Sequence, residues 1–463
     1  MKQLRISQCM IVKNEEKNIE QALSWGKDIM WEQIVVDTGS TDRTVELAEA
    51  MGAKVYHFAW VDDFSAAKNF ACRQAKGDWI AFLDADEYMD AENVKRLYGL
   101  LIRLERSHSL CQAIVTNWFN VDETGKVFIG GNQIRIFRNR SGVHYQGRIH
   151  EYLVRGKRDL DGSELMDACD QLTIYHTGYT PQALAAGQKL ERNRRMILKE
   201  LEERPNDYKM LGNLADTYRA GGEYEEAVNW YEKAVAALPP AEKMAGVLDM
   251  RTSENFAFLL TLLCELRKEE SRIRQTYEEA LRYVPADADF DYIVGRHYAE
   301  TGSYAKGAAH LHRAMELLNQ NGNVCYGMLL TANLRLAWEY LATCYYNCGQ
   351  LKDCVSACVT LLQADRFAMG VLRLLLAAFL RDAKSSKAPG QESGAANDPA
   401  QIAGGKQVLA FLGRIYDFSA AKDRIFVLRT AKDVPYPGLT QAVRELFTPE
   451  ELRILDGMEK SGK

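Results

Sequence analysis

The stretch Gly77–Glu87, GDWIAFLDADE, decides how the chain is read. Its centre, Trp79–Leu83 (WIAFL), is an unbroken apolar run of strand length that stops at two aspartates separated by one alanine. Upstream, Ile6–Val12 (ISQCMIV) reads as a buried strand, Asn18–Trp25 as a helix, and Ile34–Asp37 (IVVD) as a short strand closing at a Gly-Ser turn. Thr41–Met51 reads as a helix with Ser40 or Thr41 as its N-cap, Lys54–Tyr56 as a third strand and Phe64–Ala75 as a further helix. This alternation predicts an α/β domain with a mainly parallel sheet covered by helices. Ligands of such sheets bind beyond the carboxyl ends of the strands. Here those ends carry Asn14-Glu15, Asp37 and Asp84-Ala85-Asp86. Side chains alternate in an extended segment, so Asp84 and Asp86 share one side and can reach one ligand. Carboxylate oxygens are also what a hard divalent cation takes.

The remaining composition narrows the function classes. A chain of 463 residues, at roughly 150 per domain, is expected to hold two or three structural units. Hydrophobic residues make up 47% and charged residues 26%, the balance of a globular protein. Lysine plus arginine number 58 against 63 acidic residues, a net charge of −5, which argues against a nucleic-acid or anionic-membrane binder. The longest strongly apolar run, Val371–Leu380, contains Arg373 and is far short of a membrane span, so no transmembrane segment is expected. Met1-Lys2-Gln3 leads straight into a strand-like segment, so no signal peptide is expected. The 10 cysteines are scattered, which disfavours a disulfide framework and makes a cytoplasmic location the expectation.

After about Thr180 the sequence becomes helix-favouring and self-similar. From Tyr208 the pattern runs Leu211, Leu214-Ala215, Tyr218, Gly222, Tyr224, Ala227, Tyr231, Ala234 and Pro239. A second unit from Glu254, a third from Ala288 (Val294-Gly295, Tyr298, Gly302, Tyr304, Ala314) and a fourth from Arg335 repeat it. The pattern resembles the tetratricopeptide repeat, in which small residues let paired helices approach and each pair needs a neighbour to bury its second face. The resulting division is 1–185 catalytic, 186–382 helical repeats, 383–405 a flexible loop rich in Gly, Ser, Ala and Pro, and 406–463 a carboxy-terminal helical region. Thr448-Pro449 marks a helix start within the last part. Cys344, Cys348, Cys354 and Cys358 have metal-like spacing but fall on small-residue positions of the fourth repeat, where cysteine serves as a small hydrophobe.

Taken together, CMIVKNEE (9–16), VVDTGSTDRT (35–44), DFSAAKN (63–69) and GDWIAFLDADE (77–87) resemble a family 2 glycosyltransferase of the GT-A fold. The resemblance implies a nucleotide-sugar donor (UDP-linked glucose or N-acetylglucosamine above all), a Mn²⁺ or Mg²⁺ ion and an inverting displacement. It places Ile11, Val12, Lys13 and Glu15 along the nucleotide pocket, Asp37 against the base, Lys68 toward the diphosphate, Asp84 with Ala85 at the ribose and donor sugar, and Asp86 on the metal. Gly130-Gly131-Asn132-Gln133 resembles the family's donor loop, with Gly131 and Asn132 as contacts. Gly147-Arg148-Ile149-His150-Glu151 matches its later acidic motif. Glu151 is thereby the general base, with His150 as its rival, while pairing of Glu151 to Arg148 or Arg155 is the purely structural option. His176, closing the strand Leu172–Tyr175, is the second metal ligand by the same resemblance. The family's tyrosine after the first strand is missing from Ile11–Glu15, which leaves the base open.

Asp62-Asp63 is expected to cap the Phe64–Ala75 helix. The Gln-x-x-Arg-Trp motif of processive synthases is absent, so one sugar per encounter is expected. The catalytic half joined to helical repeats resembles bacterial enzymes that glycosylate flagellin or a bacteriocin peptide, which implies a polypeptide acceptor held by the repeats. A lipopolysaccharide-type glucosyltransferase, with the repeats serving homodimerisation, and an adaptor with a vestigial catalytic half are the alternatives.

Overall fold

A computed structural model of the protein describes residues 4–122, 124–177, 187–244, 249–321, 328–385, 399–434 and 436–460. The chain forms two compact units, Met1–Trp230 and Tyr231–Lys463.

The first unit opens with β1 (Ile6–Val12), α1 (Ile19–Ser24), β2 (Glu32–Asp37), α2 (Thr44–Ala50), β3 (Lys54–His57), α3 (Phe64–Gln74) and β4 (Trp79–Phe82). The strands lie in the order β3-β2-β1-β4, all parallel, with Val12 opposite Asp37 and Cys9 opposite Phe82. The sheet then turns mixed. β5 (Glu87–Tyr88), α4 (Ala91–Arg106), β6 (Ala113–Val121), β7 (Val127–Arg138), β11 (Leu165–Asp167) and β12 (Thr173–His176) complete it. β7 runs antiparallel to both β4 and β6, whereas β11 and β12 lie parallel to β6. A separate three-stranded sheet pairs β8 (Val143–Gln146), β9 (Tyr152–Arg155) and β10 (Arg158–Asp159). The expected GT-A-like mixed sheet, with a parallel majority, is thus present.

Every residue of β4 is buried, as a central parallel strand covered on both faces requires. On one face α4 packs Leu97, Leu101 and Leu104 against Trp79, Ile114 and Ile136. On the other, Ala71 and Ala75, in and just after α3, meet Cys9, Ile34 and Phe82. Alanines there bring α3 close to the sheet, which positions its polar residues at the strand ends.

One local expectation fails. α2 begins at Thr44, with Arg43 at the N-cap and no side-chain cap, rather than at Ser40 or Thr41. Those hydroxyl residues are used between loops instead. The Asn14 N–H donates to Ser40 Oγ at 2.9 Å, the Thr41 N–H to Asn14 Oδ1 at 2.8 Å, and the Glu15 N–H to Thr44 Oγ1 at 2.7 Å. Asn14 holds φ of 59°, a left-handed conformation that asparagine tolerates. The ends of β1 and β2 are therefore laced together by side chains.

Beyond β12 the described chain is helical. Consecutive helices Met250–Glu265 and Glu270–Tyr283, Ala288–Glu300 and Tyr304–Asn321, and Leu334–Asn347 and Leu351–Ala364 follow the repeat pattern of the second unit. The second repeat opens at Met250, four residues before Glu254. Close approach is visible at Gly295, where a Cβ would lie 2.8 Å from Leu311 Cγ. Cys344, Cys354 and Cys358 are buried, Cys348 is exposed, and Cys354 and Cys358 pack with Leu362 and Leu372.

Of the 383–405 segment, residues 386–398 lie outside the described residues. Its ends are helical, in Met369–Ser385 and Pro399–Leu412. Gly405 is small because a Cβ there would fall on the backbone of Gly438 and Leu439, so at this position glycine serves close packing. Thr448 starts the last helix, Pro449–Lys460, with a reciprocal cap: its N–H donates to Glu451 Oε2 at 2.8 Å and its Oγ1 accepts from the Glu451 N–H at 3.2 Å. Among the described residues no helix is long and apolar enough to cross a membrane.

Candidate active site

The ends of β2, β1 and β4 lie side by side, so Asp37, the Ile11–Glu15 segment and Asp84–Asp86 share one edge of the parallel sheet. Ile11 is half-buried, Val12 buried and Lys13 exposed. Glu15 accepts from Asn18 Nδ2 at 2.8 Å. Asp37 is buried and accepts N–H bonds from Ser40 at 2.9 Å and Gly39 at 3.2 Å, with His57 Nδ1 3.3 Å away. Burial alone would raise its pKa, but hydrogen bonds from Ser40 and Gly39 hold it below the usual carboxylate range.

The DADE segment alternates as its sequence suggests. Ala85 is buried among Met10, Val12 and Leu23, and Glu87 is buried too, while Asp84 and Asp86 face outward with 34% and 25% of their side chains exposed. Glu87 is the anchor of this turn. Its Oε2 accepts the Asp84 N–H at 2.9 Å, and its Oε1 accepts Trp118 Nε1 at 2.8 Å and Arg135 Nη2 at 2.6 Å. The same Arg135 Nη2 donates to Asp84 Oδ2 at 2.9 Å. On the other carboxylate oxygen of Asp84 sits Lys68 Nζ at 3.4 Å, and that ammonium donates to Glu151 Oε1 at 2.6 Å. Desolvation works against ionised Asp84, yet Lys68 and Arg135 overcome it and keep this carboxyl well below its ordinary range.

Lys68 is only 3% exposed and lies 5.2 Å from the Phe82 ring centroid and 5.3 Å from that of Tyr145. Glu151 therefore pairs with Lys68. Arg148 is engaged by Glu203 at 2.7 Å and Arg155 by Glu164 at 2.6 Å. His150, next to Glu151, is exposed and has φ of 53°.

Helix α3 holds the Glu151 segment in place. Asp63 caps it by accepting the Ala66 N–H at 2.8 Å, as expected, whereas Asp62 pairs with Arg195 at 3.0 Å and Lys199 at 2.8 Å. Ser65 Oγ donates to the Gly147 carbonyl at 2.6 Å, and the Phe64 N–H donates to the Arg148 carbonyl at 2.8 Å. Asn69 closes a two-bond ring with the Tyr145 backbone, at 2.8 and 2.9 Å. Gly147, at φ of 99°, provides the turn that delivers Glu151.

His176 lies in register with Glu87 of β5 on one side and Asn120 of β6 on the other. Its Nδ1 is hydrogen-bonded to Asn120 Oδ1, and its Nε2 lies 3.2 Å from Asp86 Oδ2. A carboxylate oxygen and an imidazole lone pair this close repel unless a cation or proton lies between them. The pair consequently fits a divalent ion, and its mixed oxygen and nitrogen donors suit Mn²⁺ better than Mg²⁺. Among the described residues no three His, Cys, Asp or Glu side chains converge as a metal set.

Gly131 and Asn132 differ from expectation. Gly130 to Gln133 run inside β7, paired with β6 (Gly131 opposite Trp118, Asn132 opposite Asn117), so they form a strand and not a loop. Gly130 is needed there because a Cβ would press on the Phe119 ring at 3.0 Å. Arg135, Glu87, Asn69 and Asn120 were not singled out from sequence. Arg135 reaches Asp84 only because β7 pairs with β4, with Ile136 opposite Ala81.

Residues 7–155 match the model of glycosyl transferase family 2, so the first unit carries a family 2 glycosyltransferase domain. Over 235 residues (50% of this chain, 56% of the relative) the chain is 32% identical to a TPR repeat-containing protein of Synechococcus elongatus. Over 293 residues (61% of this chain, 64% of the relative) it is 26% identical to the SPbeta prophage-derived glycosyltransferase SunS of Bacillus subtilis. The chain thus spans less than two thirds of the length of these curated relatives. Among solved structures, TarS residues 1–349 of S. aureus in complex with UDP-GlcNAc aligns at 16% identity with a TM-score of 0.34, covering 60% of this chain and 89% of that one.

Proposed function

We propose that the protein transfers one sugar from a nucleotide-sugar donor, UDP-glucose or UDP-N-acetylglucosamine, to a side chain of a protein or peptide, with inversion at the sugar carbon. The observation that carries this reading is the chain of contacts Asp84–Lys68–Glu151 beside the Asp86–His176 pair, all set at one end of the sheet of a family 2 domain. Asp37 and the Ile11–Glu15 segment hold the nucleotide, with Gly131 and Asn132 on the neighbouring strand. Asp84, kept ionised, accepts hydroxyl protons of the ribose and donor sugar, and Ala85 leaves room for it. Asp86 and His176 would hold Mn²⁺ or Mg²⁺, which when bound supplies positive charge to the departing diphosphate. Glu151 takes the proton of the acceptor nucleophile as it attacks the sugar carbon.

The helical repeats hold the acceptor, a flagellin-like or bacteriocin-like polypeptide, and provide a surface for homodimerisation. The functional division falls at residues 185/186, and the acceptor is modified in the cytoplasm. The test is a donor-hydrolysis screen with Mn²⁺ over UDP- and other nucleotide sugars, with the wild-type chain and Asp86→Ala, then repeated with co-expressed flagellin or a bacteriocin precursor. Metal-dependent hydrolysis of one donor, lost in Asp86→Ala, is the expected result. No turnover of any donor overturns the reading.

A further inference from the structure

Lys68 is almost fully enclosed, yet no structural need of α3 calls for an ammonium there: the helix packs through Ala67, Ala71 and Ala75. Burying a cation is costly unless charge and hydrogen bonds compensate it. Here the compensation comes from two carboxylates on different elements, Glu151 at 2.6 Å and Asp84 at 3.4 Å, under a roof of the Phe82 and Tyr145 rings.

We infer that Lys68 is a positioning residue that fixes the acceptor-side carboxylate of Glu151 and the donor-side carboxylate of Asp84 in a single frame. This rests on the base role proposed for Glu151 and replaces the expectation that Lys68 meets the diphosphate. The geometry supports it in two ways. An ammonium donor 2.6 Å from Oε1 leaves Oε2 of Glu151 for the acceptor proton, so one lysine selects which oxygen acts. Arg135 and Glu87 then hold Asp84 from the far side, so the frame continues into the buried base of the sheet.

The charged and titratable groups around Lys68 are Glu151, Asp84 after β4 and Cys72 of α3, with Arg135 of β7 on the far side of Asp84 and Tyr145 of β8 beside Glu151. Burial pushes the Cys72 thiol and the Tyr145 hydroxyl up, so both are neutral near pH 7. Lys68 is then the one cation in contact with Glu151 among the described residues.

The experiment measures hydrolysis of UDP-glucose and UDP-N-acetylglucosamine with Mn²⁺ from pH 5 to 9 for the wild type, Lys68→Met and Lys68→Arg. Lys68→Met is expected to lower kcat and leave the donor KM within about threefold. Lys68→Arg, which keeps a cation between the two carboxylates, is expected to recover part of the lost kcat. A donor KM that rises more than about tenfold in Lys68→Met assigns Lys68 to the diphosphate and overturns the proposal. If Lys68→Met does not fold, Lys68→Arg decides alone: lower kcat at unchanged donor KM supports the frame, and a raised donor KM refutes it. Failure of the underlying reading looks different. Glu151→Gln with undiminished hydrolysis removes the base and the frame with it, whatever the lysine variants do.

Discussion

Replacing Arg135 by methionine tests the buried charge network on which the donor side depends. The guanidinium is the cation shared by Asp84 Oδ2 at 2.9 Å and Glu87 Oε1 at 2.6 Å, and the Glu87 side chain is fully enclosed. Breaking a buried pair by removing one partner typically costs about 3–5 kcal/mol, because the other charge stays behind uncompensated. Glu87 keeps two donors, Trp118 Nε1 and the Asp84 N–H, and Asp84 keeps Lys68, which places Arg135→Met near the lower end, about 3 kcal/mol. For a unit of this size that is a fall of roughly 6–12 °C in the first unit's melting temperature.

The measurement is a thermal melt by circular dichroism or calorimetry, with Arg135→Met/Glu87→Gln alongside. The glutamine retains hydrogen bonding to Trp118 but carries no charge, so the double variant recovers most of the loss. A single variant that melts within about 2 °C of wild type, or a double variant that melts lower still, refutes the argument that Arg135 compensates buried charge.

Three further outcomes follow from local geometry. Asn120→Leu removes the hydrogen-bond partner of His176 Nδ1, and Mn²⁺ affinity measured by calorimetry falls by about 10–100-fold without unfolding. Asp289 in the second unit is buried beside Asp287, and its carboxyl is pushed up to about 6 although it accepts the N–H groups of Leu329 and Leu330. A folded-state value above the unfolded one means that the folded chain binds more protons between pH 4 and 6, so this group's contribution to stability grows as pH falls through about 6. Asp289→Asn flattens that part of the stability profile. Gly405→Ala forces a methyl group onto the backbone of Gly438 and Leu439 and costs about 1–3 kcal/mol in denaturant melts, whereas Gly404→Ala meets only Tyr436, 3.8 Å away, and is tolerated.

What sequence could reveal was whatever the chain writes locally. Parallel strands buried on both faces are largely apolar runs, so Trp79–Phe82 and the Cys9–Val12 part of β1 stand out, and the acidic residues that follow them lie at the sheet edge by construction. The helical repeats were equally legible, because Gly295 and the alanines recur at fixed spacing. Two kinds of feature were hidden. Antiparallel insertion of β7 between β4 and β6 depends on distant pairing, so Gly130–Gln133 with the following Arg135–Arg138 read as a glycine loop and its sequel, and the contact of Arg135 with Asp84 was hidden. Short polar side chains that bridge loops, Ser40 to Asn14 and Asn69 to Tyr145, carry the same residue types as helix caps and surface turns.

The attachment of the Glu151 segment to α3 has a consequence for how this domain can change. Ser65, Phe64 and Asn69 grip residues 145–148 at three points along one and a half turns of helix, and Lys68 meets Glu151 from the same helix. A shift of α3 thus carries the acidic motif with it, and a substitution that tilts the helix moves Glu151 without touching the motif itself. For the transfer reaction proposed above, the packing of α3 on the sheet is therefore a lever on Glu151 that lies outside the acidic motif.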